Sequence, residues 1–215
     1  TGVKSGCMKF YAFNDDGSET LNLLLDHNTT ARIKWSSSGS TVSGPKEVIE
    51  QLKIDTDAWV GTITPENYSI VQSGQGGEVQ YTVDYSSYKA RLITANEIAQ
   101  ITGNTTFDEK KSSGMIYFDT NTDTASDRCK SGNTRGCKDG WLYDRTSESC
   151  TDHGCLNNSD QSFMGYWTIS PSSSSQAYLV FYPGILHNLF GVGGSEGSTS
   201  AGVRPVITVL KSQLN

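Results

Sequence analysis

The stretch from residue 165 to 207 limits most strongly what this chain can fold into. It opens with Gly-Tyr-Trp-Thr-Ile-Ser-Pro at 165–171, and it runs into Gly-Val-Arg-Pro-Val-Ile-Thr-Val-Leu at 202–210. Both runs are rich in aromatic and β-branched residues, which predicts two strands. A third strand is predicted at 177–182, followed by a loop at 191–202 that is too glycine-rich for a regular element.

We expect the two ends of this stretch to be buried in the core, and its interior to be exposed at the surface for ligand binding. We expect Trp167 to be buried, and Arg204 to be a structural arginine bound to carboxylate or carbonyl oxygens. The interior of residues 171–202, called the display segment below, mixes small polar residues with large aromatics, as binding loops do. The candidate ligand-binding residues are Tyr182, Leu186, His187, Asn188 and Phe190.

The motifs at 166–170 and 202–207 together resemble the C-type-lectin-like fold. With Lys-Ala-Arg-Leu-Ile-Thr at 89–94, they resemble the branch shared by formylglycine-generating-enzyme-like domains, bacterial surface paralogues and variable proteins of diversity-generating retroelements. The resemblance covers about the last fifty residues and the 89–94 segment. It implies an α+β fold with an antiparallel sheet, two helices and a loop face that varies among relatives. The implied partner is a protein or a glycan on another surface.

Length and charge narrow the class of protein. The 215 residues are long enough for one large domain, and no linker divides the chain, so we predict a single domain over residues 1–215. The net charge of −6 argues against a nucleic-acid partner, which would require a basic face. No apolar run approaches a membrane span, and the mean hydropathy is −0.43. Because the first residue is Thr1, we expect a targeting segment to have been removed or the chain to be part of a longer protein.

The first half of the chain alternates strands and helices. A hairpin is predicted from the strands 8–13 and 20–26 around Asn-Asp-Asp-Gly. Two helices are predicted, one begun by Ser43 and continuing to Lys53, and one at 95–102 with a capping box of Thr94 and Glu97. Residues 55–80 are expected to be mostly irregular, and short strands are predicted at 31–35, 81–85 and 115–118.

A polar insertion at about 119–161 holds four of the five cysteines. It has few apolar residues of its own, so two disulfides are the favoured explanation, and they imply an extracellular or cell-surface location. Sequential pairing closes the shortest loops, although three pairings are open, and a zinc site is less favoured because Cys-x-x-Cys spacing is absent. Cys7 either is a buried thiol or pairs outside the chain. The disulfide candidates are Cys129, Cys137, Cys150 and Cys155.

The same insertion begins with oxygen-bearing side chains at alternating positions. Such a pattern is typical of the first half of a calcium loop. However, Thr124 replaces the expected glycine, and Lys130 stands at the position of the last carboxylate ligand, so an exposed acidic loop is favoured. Calcium is thus a possible ligand but not a predicted cofactor; its candidate residues are Asp119, Asn121, Asp123 and Asp127.

Catalytic patterns are scarce. The three histidines are not at metal-ligand spacing, and neither a Gly-x-Ser-x-Gly elbow nor a phosphate-binding loop is present. The resembling enzymes use a reactive cysteine pair or an iron site of two histidines and a glutamate, and the segment after Cys155 supplies neither. We therefore predict non-catalytic ligand binding on a bacterial or phage-borne surface, with no metal or other cofactor. A structural subunit of a pilus or surface layer, and an oxygenase related to formylglycine-generating enzymes, remain the alternatives.

Overall fold

The computed structural model describes residues 8–74, 77–111, 114–117, 139–142, 165–181, 185–193 and 200–214. These residues form eleven strands and two α-helices. The helices are α1 (Lys46–Thr56) and α2 (Ala95–Ile101). The strands are β1 (Phe10–Phe13), β2 (Thr20–Leu25), β3 (Thr30–Ile33), β4 (Tyr68–Gly74), β5 (Gly77–Val83), β6 (Ile116–Tyr117), β7 (Tyr166–Ser173), β8 (Gln176–Phe181), β9 (Ile185–Gly191), β10 (Ala201–Val203) and β11 (Val206–Leu210).

The described strands make three sheets. One has the order β1-β2-β11, the largest has the order β3-β10-β7-β8-β9-β6, and β4 pairs with β5 alone. All neighbours are antiparallel except β10 and β7, which run parallel. The α+β class, with two helices and mainly antiparallel sheets, is confirmed.

The C-terminal run at 202–210 is divided between two sheets. Strand β10 lies in the six-stranded sheet, whereas β11 pairs with β2 in the three-stranded sheet. The division falls at Arg204 and Pro205, where the proline has no N–H to give to a ladder. The Pro205 carbonyl instead accepts from the Leu25 amide at 3.0 Å. The prediction of one continuous strand is therefore wrong, although both of its halves are strands.

The six-stranded sheet is covered on both faces. In β8, every side chain from Ala177 to Val180 is buried, and successive residues belong to two different core clusters. The first cluster contains Trp167, Leu179 and the buried face of α1, and the second contains Tyr178, Val180 and the buried face of α2. Trp167 is fully buried, as expected, and its indole N–H donates to the Ile33 carbonyl at 2.8 Å.

The two helices differ in how well their starts were predicted. Helix α2 has the predicted capping box, because Thr94 Oγ1 accepts from the Glu97 amide at 2.9 Å and Glu97 Oε2 accepts from the Thr94 amide at 2.9 Å. Helix α1 starts later than predicted: Pro45 occupies its N-cap position, and no side chain caps it. Ser43 is therefore not the cap. The predicted inward face is confirmed, since Val48, Ile49 and Leu52 are buried.

Strands β4 and β5 lie largely where irregular structure was expected. Residues 55–80 contain β4 and most of β5, which pair over their whole length from Tyr68 and Val83 to Gly74 and Gly77. In the display segment, β9 pairs with β8 on one edge and with β6 on the other. Among the described residues, no helix is both long and apolar enough to cross a membrane.

Candidate functional site

Strand β9 carries four of the five candidate ligand-binding residues and fixes where two of their side chains lie. His187 is opposite Leu179, which is itself opposite Trp167, so these residues form one row across the sheet. Leu186 is in the next row, opposite Val180. Because neighbouring residues of a strand point to opposite faces, His187 and Leu186 lie on different sides of the sheet.

Leu186 is a core residue. Its side chain is fully buried and belongs to the cluster of Tyr166, Tyr178 and Val180. A ligand cannot reach it without opening the sheet, so the prediction that Leu186 contacts a ligand is wrong. The physical reason is that β6 continues the sheet beyond β9, which leaves β9 an inner strand rather than a free loop.

His187 is partly buried, and its environment favours the neutral ring. Desolvation lowers the pKa of the imidazole below its ordinary value of about 6.5. At pH 7 the ring is therefore uncharged, and it has both a donor and an acceptor nitrogen for a ligand or a neighbour.

Asn188 lies at an irregular position of the β8–β9 pairing. The register shifts between Ala177 and Leu179, so that Ala177 is opposite Phe190 whereas Leu179 is opposite His187. The Asn188 carbonyl accepts a hydrogen bond from the Ser172 hydroxyl. This bond holds the main chain of β9, while the half-buried Asn188 side chain stays accessible at the shift.

The other sequence-based candidates lie outside the described residues. This applies to Tyr182 and to the side chain of Phe190. It applies also to Cys7 and to the calcium and disulfide candidates, which are Asp119, Asn121, Asp123, Asp127, Cys129, Cys137, Cys150 and Cys155. Within the part of the chain that the structure describes, no three His, Cys, Asp or Glu side chains are grouped as metal ligands.

A buried arginine joins the C-terminal strands to the middle of the insertion. The Arg204 guanidinium is fully buried and donates three hydrogen bonds to main-chain carbonyls, from Nε to Leu25 at 2.6 Å, and from its two terminal nitrogens to Leu142 at 2.7 Å and Trp141 at 2.8 Å. Its central carbon lies 5.0 Å from the centre of the Tyr166 ring. The predicted structural role of Arg204 is confirmed, with carbonyl oxygens as the acceptors.

The segment that Arg204 holds is a 3-10 turn at Gly140–Leu142. The Leu142 side chain is fully buried, and the Leu142 carbonyl also accepts a hydrogen bond from the Tyr166 hydroxyl at 2.5 Å. The Trp141 ring stacks on the Tyr11 ring, with 5.2 Å between the ring centres. The polar insertion is thus fixed to the core near its middle. We call residues 139–142 the insertion anchor.

No family model, curated protein or solved structure matches this chain.

A partly buried carboxylate that the sequence did not reveal lies between α2 and β7. Glu109 Oε2 accepts from the Ser170 hydroxyl at 2.6 Å and from the Asn96 amide at 3.3 Å, and Ser170 Oγ accepts from the Ala95 amide at 3.0 Å. Burial raises the pKa of Glu109 above its ordinary range, and the nearby Glu97 charge acts in the same direction. Ser170 is fully buried, which leaves no path for a substrate to its hydroxyl. The pair therefore links α2 to the sheet.

An ion pair next to Glu109 fixes the start of α2. The Arg91 guanidinium donates to both carboxylate oxygens of Glu97, at 2.6 and 2.9 Å, in the two-pronged geometry that makes such pairs strong. Tyr68 packs at the same place, and burial with the charges of Glu109 and Glu97 raises its pKa to about 12. At pH 7 Arg91 is therefore charged and Tyr68 is neutral. These are their ordinary states, so the arrangement is structural.

A cleft of about 260 Å³ opens between the first turns of α1 and strand β5. It shares no residue with β9. Its lining combines an apolar floor, two tyrosine rings and three charged side chains; the lining residues used below are Pro45, Lys46, Ile49, Glu50, Tyr81, Val83, Asp84 and Tyr88.

Proposed function

We propose that this chain is a non-catalytic binding domain that presents the exposed side chains of β9 and of its flanking segments to a protein or glycan surface. The main support for this proposal is the difference in burial between two neighbouring strands, β8 and β9. From Ala177 to Val180, β8 is buried on both faces, whereas His187 and Asn188 of β9 keep exposed area. A well-packed strand beside a partly open one gives a rigid platform with an accessible face.

The exposed side chains of β9 suit uncharged hydrogen bonding. His187 is neutral at pH 7 because burial lowers its pKa, and the Asn188 amide supplies two donors and an acceptor. Such groups match the hydroxyls of a glycan or the main chain of a protein. Because the backbone that carries these side chains is already ordered in a strand, less conformational entropy is lost on binding.

For the scaffold, we propose the C-type-lectin-like fold. The α+β class, the two helices and the mainly antiparallel sheets support this proposal. The strands contributed by the two ends of the described chain also meet, because β11 pairs with β2 from Thr20 to Leu24. A bacterial or phage-borne cell-surface location is part of the same proposal and rests on the four cysteines of the insertion.

Side-chain replacement on β9 tests the binding face. Replacing Tyr182, His187, Asn188 and Phe190 together with alanine should abolish capture of partners found by a glycan array or a surface pull-down. The Asn188 carbonyl, which holds Ser172, is unchanged by the substitution. The melting temperature should fall by only a few degrees.

A matched control comes from another strand with outward side chains. Ser69 and Val71 of β4 are exposed, and their replacement by alanine should leave capture intact. If the β9 variant melts as early as Trp167→Ala does, the four residues are core and the proposed face is wrong. If it remains folded and still captures the partner, the binding surface lies elsewhere.

A further inference from the structure

We propose that the cleft between α1 and β5 is a second binding site, which takes a protonated primary amine on an aliphatic stem. The chemistry is that of a lysine side chain or a free alkylamine. This site goes beyond the proposed face on β9, because it lies on other elements and takes a charged ligand.

The floor and wall of the cleft are apolar and firmly held. Pro45, Ile49 and Val83 are buried and form an apolar surface for a hydrocarbon stem. The Tyr81 hydroxyl donates to the Ile169 carbonyl at 2.7 Å, which fixes its ring. Gly44 has a φ of +78°, and a Cβ there would lie 3.2 Å from that ring, so a glycine allows the close approach.

The rim of the cleft is negatively charged and lies around a second tyrosine. Glu50, Asp84 and Tyr88 all line the cleft. Burial raises the pKa of Tyr88, and the charges of Glu50 and Asp84 raise it further. Asp84 is held by the Ser86 amide, which donates to it at 2.8 Å. Glu50 forms neither a hydrogen bond nor an ion pair with any residue that the structure describes. One carboxylate is therefore fixed in place and the other is available.

Two lysines of the chain itself lie at or beside the cleft. One shows that the Tyr88 ring attracts an ammonium group, and the other reduces the negative charge of the lining. The Lys53 ammonium lies 5.5 Å from the centre of the Tyr88 ring and donates to the Ser87 hydroxyl at 3.0 Å, although Lys53 does not line the cleft. A tyrosine ring attracts a cation through its quadrupole. Lys46 lines the cleft, but two carboxylates against one ammonium leave the lining net negative.

The size of the cleft selects a small ligand. Pockets for drug-sized molecules have volumes of about 300 to 1,000 Å³, and this cleft is smaller. A four-carbon ammonium fits such a volume, whereas an oligosaccharide does not. The apolar floor, the aromatic wall and the acidic rim together match an aliphatic stem that ends in an ammonium group.

Titration with n-butylammonium, followed by NMR amide shifts, tests the proposal. We expect the amide shifts to be largest at Gly44, Lys46 and Asp84. The dissociation constant should be on the order of 10 mM, as for a ligand of this size. n-Butanol, which has the same stem without the charge, should bind at least several-fold more weakly, and added salt should weaken only the ammonium.

Charge-neutral variants of the rim provide the second measurement. Glu50→Gln and Asp84→Asn keep shape and hydrogen-bonding capacity, and each should weaken butylammonium binding about two- to fivefold. The exposed Glu66, in the segment before β4, is the matched control, and Glu66→Gln should change nothing. N-acetyl-lysine amide and 1,5-diaminopentane then distinguish a peptide lysine from a free amine, and tighter binding of either supports the site.

Two results would overturn the proposal. Equal binding of butanol and butylammonium would show an apolar crevice without cation selectivity. Equal weakening by Glu66→Gln and Glu50→Gln would show only attraction of a cation to an acidic protein. Neither result bears on β9, since the proposed function is tested by partner capture with the β9 variant.

Discussion

Replacing Arg204 with methionine tests how the insertion and the two main sheets are joined. The substitution removes the guanidinium but keeps an unbranched apolar stem of similar reach. Leu142 retains the Tyr166 hydroxyl as a donor to its carbonyl, whereas the Leu25 and Trp141 carbonyls lose the arginine. The cost therefore comes from buried acceptors left without a partner.

The magnitude follows from those acceptors. A hydrogen bond to a charged group contributes about 1.5 to 3 kcal/mol, and a buried acceptor without a donor costs about 1 to 3 kcal/mol. Two carbonyls, those of Leu25 and Trp141, lose their donor, and the contributions of neighbouring bonds do not add fully. We therefore expect Arg204→Met to lower the free energy of unfolding by about 2 to 5 kcal/mol.

Urea unfolding followed by tryptophan fluorescence measures this loss. Arg204→Lys should be intermediate, because an ammonium keeps the charge but cannot fork to three carbonyls. The exposed Arg32 on β3 is the control, and Arg32→Met should stay within about 0.5 kcal/mol of the wild type. A loss below about 1 kcal/mol for Arg204→Met would refute the reasoning, since it would mean that the carbonyls find other donors at little cost.

Three further outcomes are expected. Trp167→Ala should lower the free energy of unfolding by about 3 to 5 kcal/mol in the same urea assay, because it opens a cavity and frees the Ile33 carbonyl; a loss below about 1 kcal/mol would contradict this. Glu109→Gln should gain stability relative to the wild type as pH rises from the ordinary carboxyl pKa near 4.5 through the raised pKa of the folded state, since the wild type alone must ionise a partly buried carboxyl group; a pH-independent difference in melting temperature would oppose it. Non-reduced protein should be about 4 Da lighter by mass spectrometry than reduced protein, and four free thiols would exclude two bridges among Cys129, Cys137, Cys150 and Cys155.

Local patterns predicted local structure well. The Asp-Gly turn between two apolar runs predicted the β1–β2 hairpin, whose register runs from Phe10 and Leu25 to Phe13 and Asn22. The capping box of α2 was readable because both of its partners lie within four residues, Thr94 and Glu97. In each case the residues that decide the structure are near one another in sequence.

Where distant residues decide the structure, the sequence was less informative. Strand β9 contains His187 and Asn188, whose types are not typical of strands, and it is stabilised by pairing with β8 and with β6 about seventy residues earlier. The exposed Val71 and the polar residues beside it hid the strand character of β4 in the same way. Glu109 and Ser170 lie sixty-one residues apart and meet only through the fold.

The insertion anchor changes how chain length is distributed between β6 and β7. Residues 139–142 are fixed to Arg204 and Tyr166, and they divide the chain between β6 and β7 into two stretches of similar length, 118–138 and 143–164. Closing two stretches of chain costs more chain entropy than closing one, although each doubling of length adds only about 0.6 kcal/mol. Cys129 and Cys137 precede the anchor in sequence, and Cys150 and Cys155 follow it, so sequential bridges would not cross the anchor. We therefore expect a change of length in one stretch to leave the other stretch's closure unaltered.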